Sequence, residues 1–280
     1  MGNSSLAGTL LLCLSACMAL TACISTQQRV ATAVLDAQRR KEPLPLPHRI
    51  DETLTITTAY ATQRRIAEQE LHGAQPAGYK AGLTSKQIQT RFNASQPVAS
   101  VLPPDGLRRS GDTIRLSEFP GLVIETEVAL RVGSPIHEQL SSIDELRARI
   151  DRIAPAIELP VVHFQSPEQM NFLDIIATNG AVATYVVGDF APSAQRDPNE
   201  AEPHLVCDGR ELNSGKGRDS MGDQWHAALW LVNTILDQGW TLEPGQILLT
   251  GVLGRMVPGT PGECSANYGN WGTIRLRIAQ

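Results

Sequence analysis

Apolar and polar positions alternate in some stretches of this chain and recur every three to four residues in others. The plainest alternation is "GLVIETEVAL", residues 121–130. Successive side chains of a strand point to opposite faces, so Leu122, Ile124, Thr126, Val128 and Leu130 share one side and Glu125 and Glu127 share the other. At the usual rise per residue the two glutamates stand about 6–7 Å apart. Two like charges that close either face water or share a cation, and this stretch alone leaves both readings open.

Helical spacing appears in three places. "LTITTAYATQRRIAEQELHG" sets Ile56, Tyr60, Ile66 and Leu71 on an irregular apolar face that ends at Gly73. "SSIDELRARIDRIAPAIELPVVHF" pairs Ser142 with Glu145 at capping-box spacing, and Ile143, Leu146, Ile150 and Ile153 make a stripe. That stripe predicts a helix of about three turns, followed by a strand over "AIELPVVHF". "DQWHAALWLVNTILDQG" is the third helix, with Trp225 and Trp230 on its apolar stripe. "GYKAGLTSKQIQTRF" predicts a short strand, a turn and a helix capped near Ser85, which puts a glycine-flanked Lys80 at a strand end. "GAVATYVVGDF", "HLVCDGREL", "QILLTGVLG" and "WGTIRLRI" add strands, with Asp208-Gly209 as a hairpin turn. Strands outnumber helices without alternating with them, which predicts a mixed α+β, sheet-dominated body.

The first residues stand apart. Residues 6–24 are almost wholly apolar and give way at once to polar "STQQRV", the pattern of an export signal. "LTAC", ending at Cys23, resembles the lipobox of bacterial lipoproteins, in which the cysteine is lipidated and tethers the protein to a membrane. "LSAC", ending at Cys17, is a second candidate, and an uncleaved membrane anchor is the alternative. The expected division is a leader over 1–23, a tether and entry segment over 24–50, where "KEPLPLPHRI" spaces its prolines, and a functional domain over 51–280. The expected location is periplasmic and membrane-anchored. Export would also permit a disulfide between Cys207 and Cys264, the two cysteines left in the folded part; two free thiols are the alternative.

A net charge of −5 and 42% hydrophobic residues describe an ordinary globular protein and give no electrostatic reason to expect nucleic acid. "GRELNSGKG" has the wrong glycine spacing for a phosphate loop and reads as a hairpin and loop. The six histidines show no zinc-ligand spacing. A site of hard oxygen ligands needs carboxylates from more than one element. Glu158, isolated in the apolar "PAIELPVV", is the candidate third member beside Glu125 and Glu127.

These residues, taken with their neighbours, resemble the fumarylacetoacetate hydrolase superfamily, in particular its 2-keto-4-pentenoate hydratase and 2-oxo-acid decarboxylase branch. The resemblance runs in order through "AYATQ" (59–63), "GYKAGLTSKQIQTRF" (78–92), "QPVASVL" (96–102), "IETEVAL" (124–130), "PAIELP" (155–160), "DIIATNG" (174–180), "AALWLVNTILDQGWTLEPGQILLTG" (227–251) and "PGECSANYGNWGTIRLRI" (261–278). It implies mixed sheets rolled into a barrel-like body, a homo-oligomer, and magnesium or manganese held by Glu125, Glu127 and Glu158. It also implies that Lys80, Thr84 and Ser85 act in catalysis, that Gly82 and Leu83 lie near the substrate, and that Asn179 backs the pocket. The implied substrate is a small 2-oxo acid or its dienol, which chelates such a cation through its carboxylate and adjacent oxygen; the implied reaction is hydration or carbon–carbon cleavage. Three positions depart from the hydratase pattern: Val98 stands where the family has an aspartate, Val161 where an acid is usual, and Val252 where a polar residue is common. Valine neither relays a proton nor holds a water. A lipid-anchored binding protein with a vestigial site, blocked by Val98 and Val252, is the alternative function.

Overall fold

The structure, a computed structural model, describes residues 25–280. The apolar leader and Cys23 of the expected lipobox lie outside the described residues. In chain order the elements are α1 (Thr26–Arg40), α2 (Pro47–Ile50), α3 (Ile56–Leu71), β1 (Gly78–Gly82), α4 (Lys86–Arg91), β2 (Val98–Leu102), β3 (Leu107–Arg108), β4 (Thr113–Arg115), β5 (Val123–Val132), α5 (Ile143–Arg147) and β6 (Ile150–Leu159). Then follow α6 (Phe172–Ala177), β7 (Thr184–Val187), β8 (Ala191–Pro192), β9 (His204–Cys207), β10 (Arg210–Ser214), α7 (Gln224–Asp237), β11 (Ile247–Leu249), β12 (Val257–Pro258), β13 (Gly262–Asn267) and β14 (Thr273–Ala279).

A long mixed sheet runs β2-β1-β11-β5-β6-β7-β3, with β12 on β5 and β8 on β6, and a five-stranded sheet runs β10-β9-β13-β14-β4. The long sheet curls as a half-barrel with helices around it, the α+β architecture the strand count predicts. Its centre is the β5–β6 pair, ten residues each. Both faces of this pair are buried, so β6 has no need of strict apolar alternation. That explains one departure from expectation. The Ser142 hydroxyl does cap Glu145 N at 3.2 Å, but the helix of about three turns stops at Arg147, and Ile150 and Ile153 belong to β6, where both are buried. Apolar residues three apart fit a helix face or a strand covered on two sides, and pairing with β5 decides for the strand.

Residues 26–40 are not a tether. Val30, Ala31, Val34 and Ala37 form a narrow face of small residues, fully or almost fully buried in a cluster with Ile66 of α3. The polar character of the other positions hides that face in the sequence. Ser25 caps the helix by accepting from Gln28 N.

Strand β2 ends the long sheet, and its free edge is closed by side chains. The Tyr60 hydroxyl accepts from Ala99 N at 3.0 Å, and Gln63 Nε2 donates to Ala99 O at 2.8 Å and to Ile176 O at 2.9 Å. Asn179 completes the edge by accepting from Val101 N at 2.8 Å and donating to Val101 O at 3.0 Å. An open strand edge left unpaired inside a protein would cost about 1–3 kcal/mol for each buried group. Helix α3 and the turn after α6 therefore lock β2 in place.

In the second sheet Cys207 and Cys264 are direct cross-strand partners of β9 and β13 and form a disulfide.

Candidate metal centre and its pocket

Register assembles the acidic cluster. Glu125 and Glu158 face one another across the β5–β6 ladder, and Glu127 follows two residues along β5, opposite Ala156. The period of two puts all three carboxylates on one face. Each offers an oxygen within 4.8 Å of the others. Glu127 and Glu158 are fully buried and Glu125 is 8% exposed, so the solvated reading of "GLVIETEVAL" does not hold.

Lys80, on β1, is also buried, and its Nζ lies 3.0 Å from Glu158 Oε1. That contact is an ion pair; neither Glu158 oxygen accepts an aligned hydrogen bond. Gly251, just past β11, donates its N–H to Glu127 Oε2 at 2.9 Å, while Glu127 Oε1 has no partner. Gly251 has a φ of 106°, and a Cβ there would sit 2.5 Å from Thr84 Oγ1. Glycine is thus required both by the backbone and by the close approach of Thr84.

Three ionised carboxylates and one ammonium sum to −2, buried together. Burial pushes the Glu125 carboxyl up to about 8, with the Glu158 charge adding to it and Lys80 opposing. Burial pushes Glu127 well up, with the Glu158 and Glu125 charges adding to it and Lys80 and the Gly251 N–H opposing. At Lys80 burial works against the ammonium, but Glu158, Glu125 and Glu127 outweigh it and raise the lysine. An acceptor-only set of carboxylate oxygens with buried lone pairs to fill and two negative charges in excess fits a hard divalent cation.

The strand backbone beneath the cluster has a further support. The Tyr268 hydroxyl, buried after β13, lies between β5 and β6, 2.6 Å from Ala156 O and 2.9 Å from Glu127 O, and accepts from Glu127 N at 3.1 Å. Burial pushes this phenol upward, so it stays a donor. Tyr268 is not legible in the sequence as a site residue; its only signal is its place within "PGECSANYGNWG".

Lys80 and Glu125 also line a pocket of about 460 Å³. Gly82, Leu83, Ser85, Val98 and Val252 line it too. Leu83 adopts a left-handed φ of 54°, and Ser85 caps α4 through Ile88 N. Thr84 is buried behind this lining, its hydroxyl unpartnered against Gly251. Asn179, expected to back the pocket, lies outside its lining and commits its amide to Val101.

The turn that begins with Asn179 is strained. Asn179, Gly180 and Ala181 have φ of 55°, 64° and 55°, a left-handed run that costs about 1–2 kcal/mol for each residue bearing a Cβ. The run brings Gly180 against Ser100, whose fully buried hydroxyl has no partner and which sits opposite Lys80 in the β1–β2 register. A Cβ on Gly180 would lie 2.2 Å from Ser100 Oγ and 3.1 Å from Lys80 Cε.

Of the three departures from the hydratase pattern, two reach the pocket. Val161 lines a separate cavity beside Glu70 and His163. Val98 and Val252 form part of the wall and leave the pocket open, so the blocked, vestigial site has no support.

Residues 66–278 match the family model for the fumarylacetoacetate (FAA) hydrolase C-terminal region. The chain is 31% identical over 224 residues to a TodF product hydratase of Pseudomonas putida F1, spanning 79% of this chain and 82% of that one. It is 28% identical over 256 residues to a 2-keto-4-pentenoate hydratase of Paraburkholderia xenovorans, spanning 87% and 93%. A 2-oxo-hept-4-ene-1,7-dioate hydratase of Escherichia coli is 26% identical over 265 residues, 90% of this chain and 98% of that one. The fold is similar to that of 4-oxalocrotonate decarboxylase from Pseudomonas putida G7, solved with magnesium and adipate, at a TM-score of 0.84 and 20% identity over 90% of this chain and 97% of that one. The sequence match runs through the strands that carry Lys80 and all three glutamates, and the chain belongs to the fumarylacetoacetate hydrolase family.

Proposed function

We propose that the protein is a divalent-metal-dependent lyase acting on a small 2-oxo acid or its dienol. The observation that carries this reading is the set of three glutamates buried in register beside Lys80, with Glu125 and Lys80 opening into a pocket. Glu125, Glu127 and Glu158 would hold magnesium or manganese, which supplies Lewis-acid stabilisation of negative charge on a bound oxygen. Gly251 N fixes one Glu127 oxygen, and the Tyr268 hydroxyl fixes the Glu127 main chain. Lys80 keeps an ammonium beside the carboxylates, able to steady an anionic oxygen or to give a proton to carbon.

Val98 and Val252 favour carbon–carbon cleavage over hydration. Hydration needs a group that holds and activates a water, and both wall positions are apolar. Cleavage leans on the charge at the base of the pocket.

The test is calorimetric titration of manganese into metal-stripped full-length protein, with and without oxalate, beside a Glu125→Ala, Glu127→Ala double variant. Binding that oxalate strengthens and the variant loses supports the reading, and a screen of 2-oxo acids and dienols for loss of carbon dioxide or uptake of water follows. Equal binding by the variant would remove the basis for it.

For the location we infer a lipid anchor at Cys23. The Cys207–Cys264 bond supports an oxidising compartment. Radiolabelled palmitate incorporated by the native chain and absent from a Cys23→Ser variant is the expected result.

A further inference from the structure

Three energetic liabilities converge beside Lys80. Ser100 is fully buried and its hydroxyl has no partner, which is destabilising for a polar group out of water. Asn179, Gly180 and Ala181 all take left-handed φ, and two of them carry a Cβ. Glycine at 180 is itself forced, because a Cβ there would stand 2.2 Å from Ser100 Oγ. Alanine at 100 would remove both the unpartnered group and the closest of these contacts. Costs of this kind gather where a site needs a group held in one place.

The position of Ser100 shows which group it serves. It is the direct partner of Lys80 in the β1–β2 register, so both side chains leave the same face of the sheet. The point 2.2 Å from Ser100 Oγ at which a Gly180 Cβ would sit is also 3.1 Å from Lys80 Cε. The hydroxyl and the end of the lysine stem therefore flank one spot. Lys80 Nζ, however, is turned to Glu158 Oε1 at 3.0 Å.

That ion pair draws on one of the three carboxylates proposed to hold a divalent cation. A cation bound there would claim the same Glu158 oxygens and repel an ammonium, which then needs a neutral acceptor. Among the described residues the alternatives are few. Val98, Val252, Phe92, Phe164 and Met170 make apolar stretches of the pocket lining and accept nothing useful. Ser85 spends its hydroxyl on the α4 cap, Gln87 is exposed, and Thr84 lies against Gly251. Ser100 is buried, unpartnered and directly across the ladder.

Resting on the metal reading of the glutamates, we propose that Ser100 is a positioning residue for Lys80, its hydroxyl accepting from the lysine ammonium when Glu158 is taken up by a divalent cation. The flexible four-carbon stem lets the ammonium pass between the two partners by rotation of side-chain bonds while the strand stays in place. The exchange keeps the ammonium at the base of the pocket, which Lys80 lines. The left-handed turn at Gly180 leaves room for the hydroxyl at that spot.

Manganese titration calorimetry on the metal-stripped full-length protein, on Ser100→Ala, on Lys80→Met and on the double variant tests this. Ser100→Ala should weaken manganese binding at least about tenfold, as loss of a hydrogen bond to a charged group does, without lowering the melting temperature measured in chelator. In the Lys80→Met background the same substitution should leave manganese affinity unchanged, because no ammonium remains to be placed. A crystal structure of the magnesium-loaded native protein should show Lys80 Nζ within hydrogen-bonding distance of Ser100 Oγ, a readout that depends on neither variant folding. Equal affinity of Ser100→Ala and the native protein, an equal loss with and without Lys80, or an ammonium still on Glu158 in the loaded crystal overturns the inference while leaving the metal site intact. Absence of manganese binding by the native protein overturns the metal reading and this inference with it.

Discussion

The base of the pocket and its wall are built by different means. The base is a product of strand register: Glu125 opposite Glu158, Glu127 one step along, Lys80 two strands away on β1. Its groups are charged, buried and in tension. The wall is a product of packing, in which α1, α4 and the loops around β6 and α6 bring apolar residues together from distant parts of the chain. Its groups are relaxed and interchangeable within limits of volume. A site that must place charges closely uses a ladder, whereas a wall that only has to pack can use a patchwork.

Gly180 is the point where the two meet, and Gly180→Ala should have the largest effect. The new Cβ adds left-handed strain and a clash with Ser100 Oγ, together about 2–4 kcal/mol, read as a shift of the denaturation midpoint. Combining it with Ser100→Gly should return the clash portion and leave the strain.

A change of pH should separate base from wall next. Without a cation, the raised carboxyls of Glu125 and Glu127 bind protons in the folded state that the unfolded chain releases near its ordinary value of about 4.5. Stability of the metal-stripped protein should therefore be greatest near pH 5 and decline as pH rises toward 8. Manganese displaces those protons, so its affinity should rise over the same interval, by up to about tenfold per pH unit for each proton released. Melting curves with and without manganese at pH 5, 6.5 and 8 measure both; a decline with pH that manganese leaves untouched would place the sensitive groups outside the base.

Tyr268→Phe should weaken manganese binding about tenfold, as loss of an outer partner of a ligand does. A fall in stability with unaltered affinity would make Tyr268 a packing residue only. The smallest effect belongs to the wall. Val34→Ala, in the same hydrophobic cluster as Phe92 and Phe164, should cost about 1–2 kcal/mol of stability and leave manganese affinity unchanged, because the glutamates lie on β5 and β6 and not in that cluster.

Much of the base could be read before the fold was known. Alternation in "GLVIETEVAL" puts Glu125 and Glu127 on one face whatever lies on the other side, and the isolated Glu158 in an apolar segment asks for a partner. The cap at Ser85 follows from equally local rules, whereas Lys80, expected at a strand end, sits in the middle of β1. The wall was not legible. Phe92, Phe164 and Met170 lie far apart in the chain and carry no pattern that distinguishes pocket lining from ordinary core, and the face of α1 is too narrow and its residues too small to stand out in a polar segment. The short α5 shows the same limit: Ile150 and Ile153 satisfy a helix and a doubly buried strand equally.

By itself, then, the sequence determined many of the caps, turns and face patterns, and which side chains could serve as ligands, because backbone geometry and residue chemistry act over a few residues. Tertiary structure alone decided that Glu125 faces Glu158, that Cys207 meets Cys264, that Asn179 spends its amide on Val101, and that Tyr268 reaches Glu127. Those outcomes depend on register between strands remote in the chain, and register is chosen by the burial of every face at once.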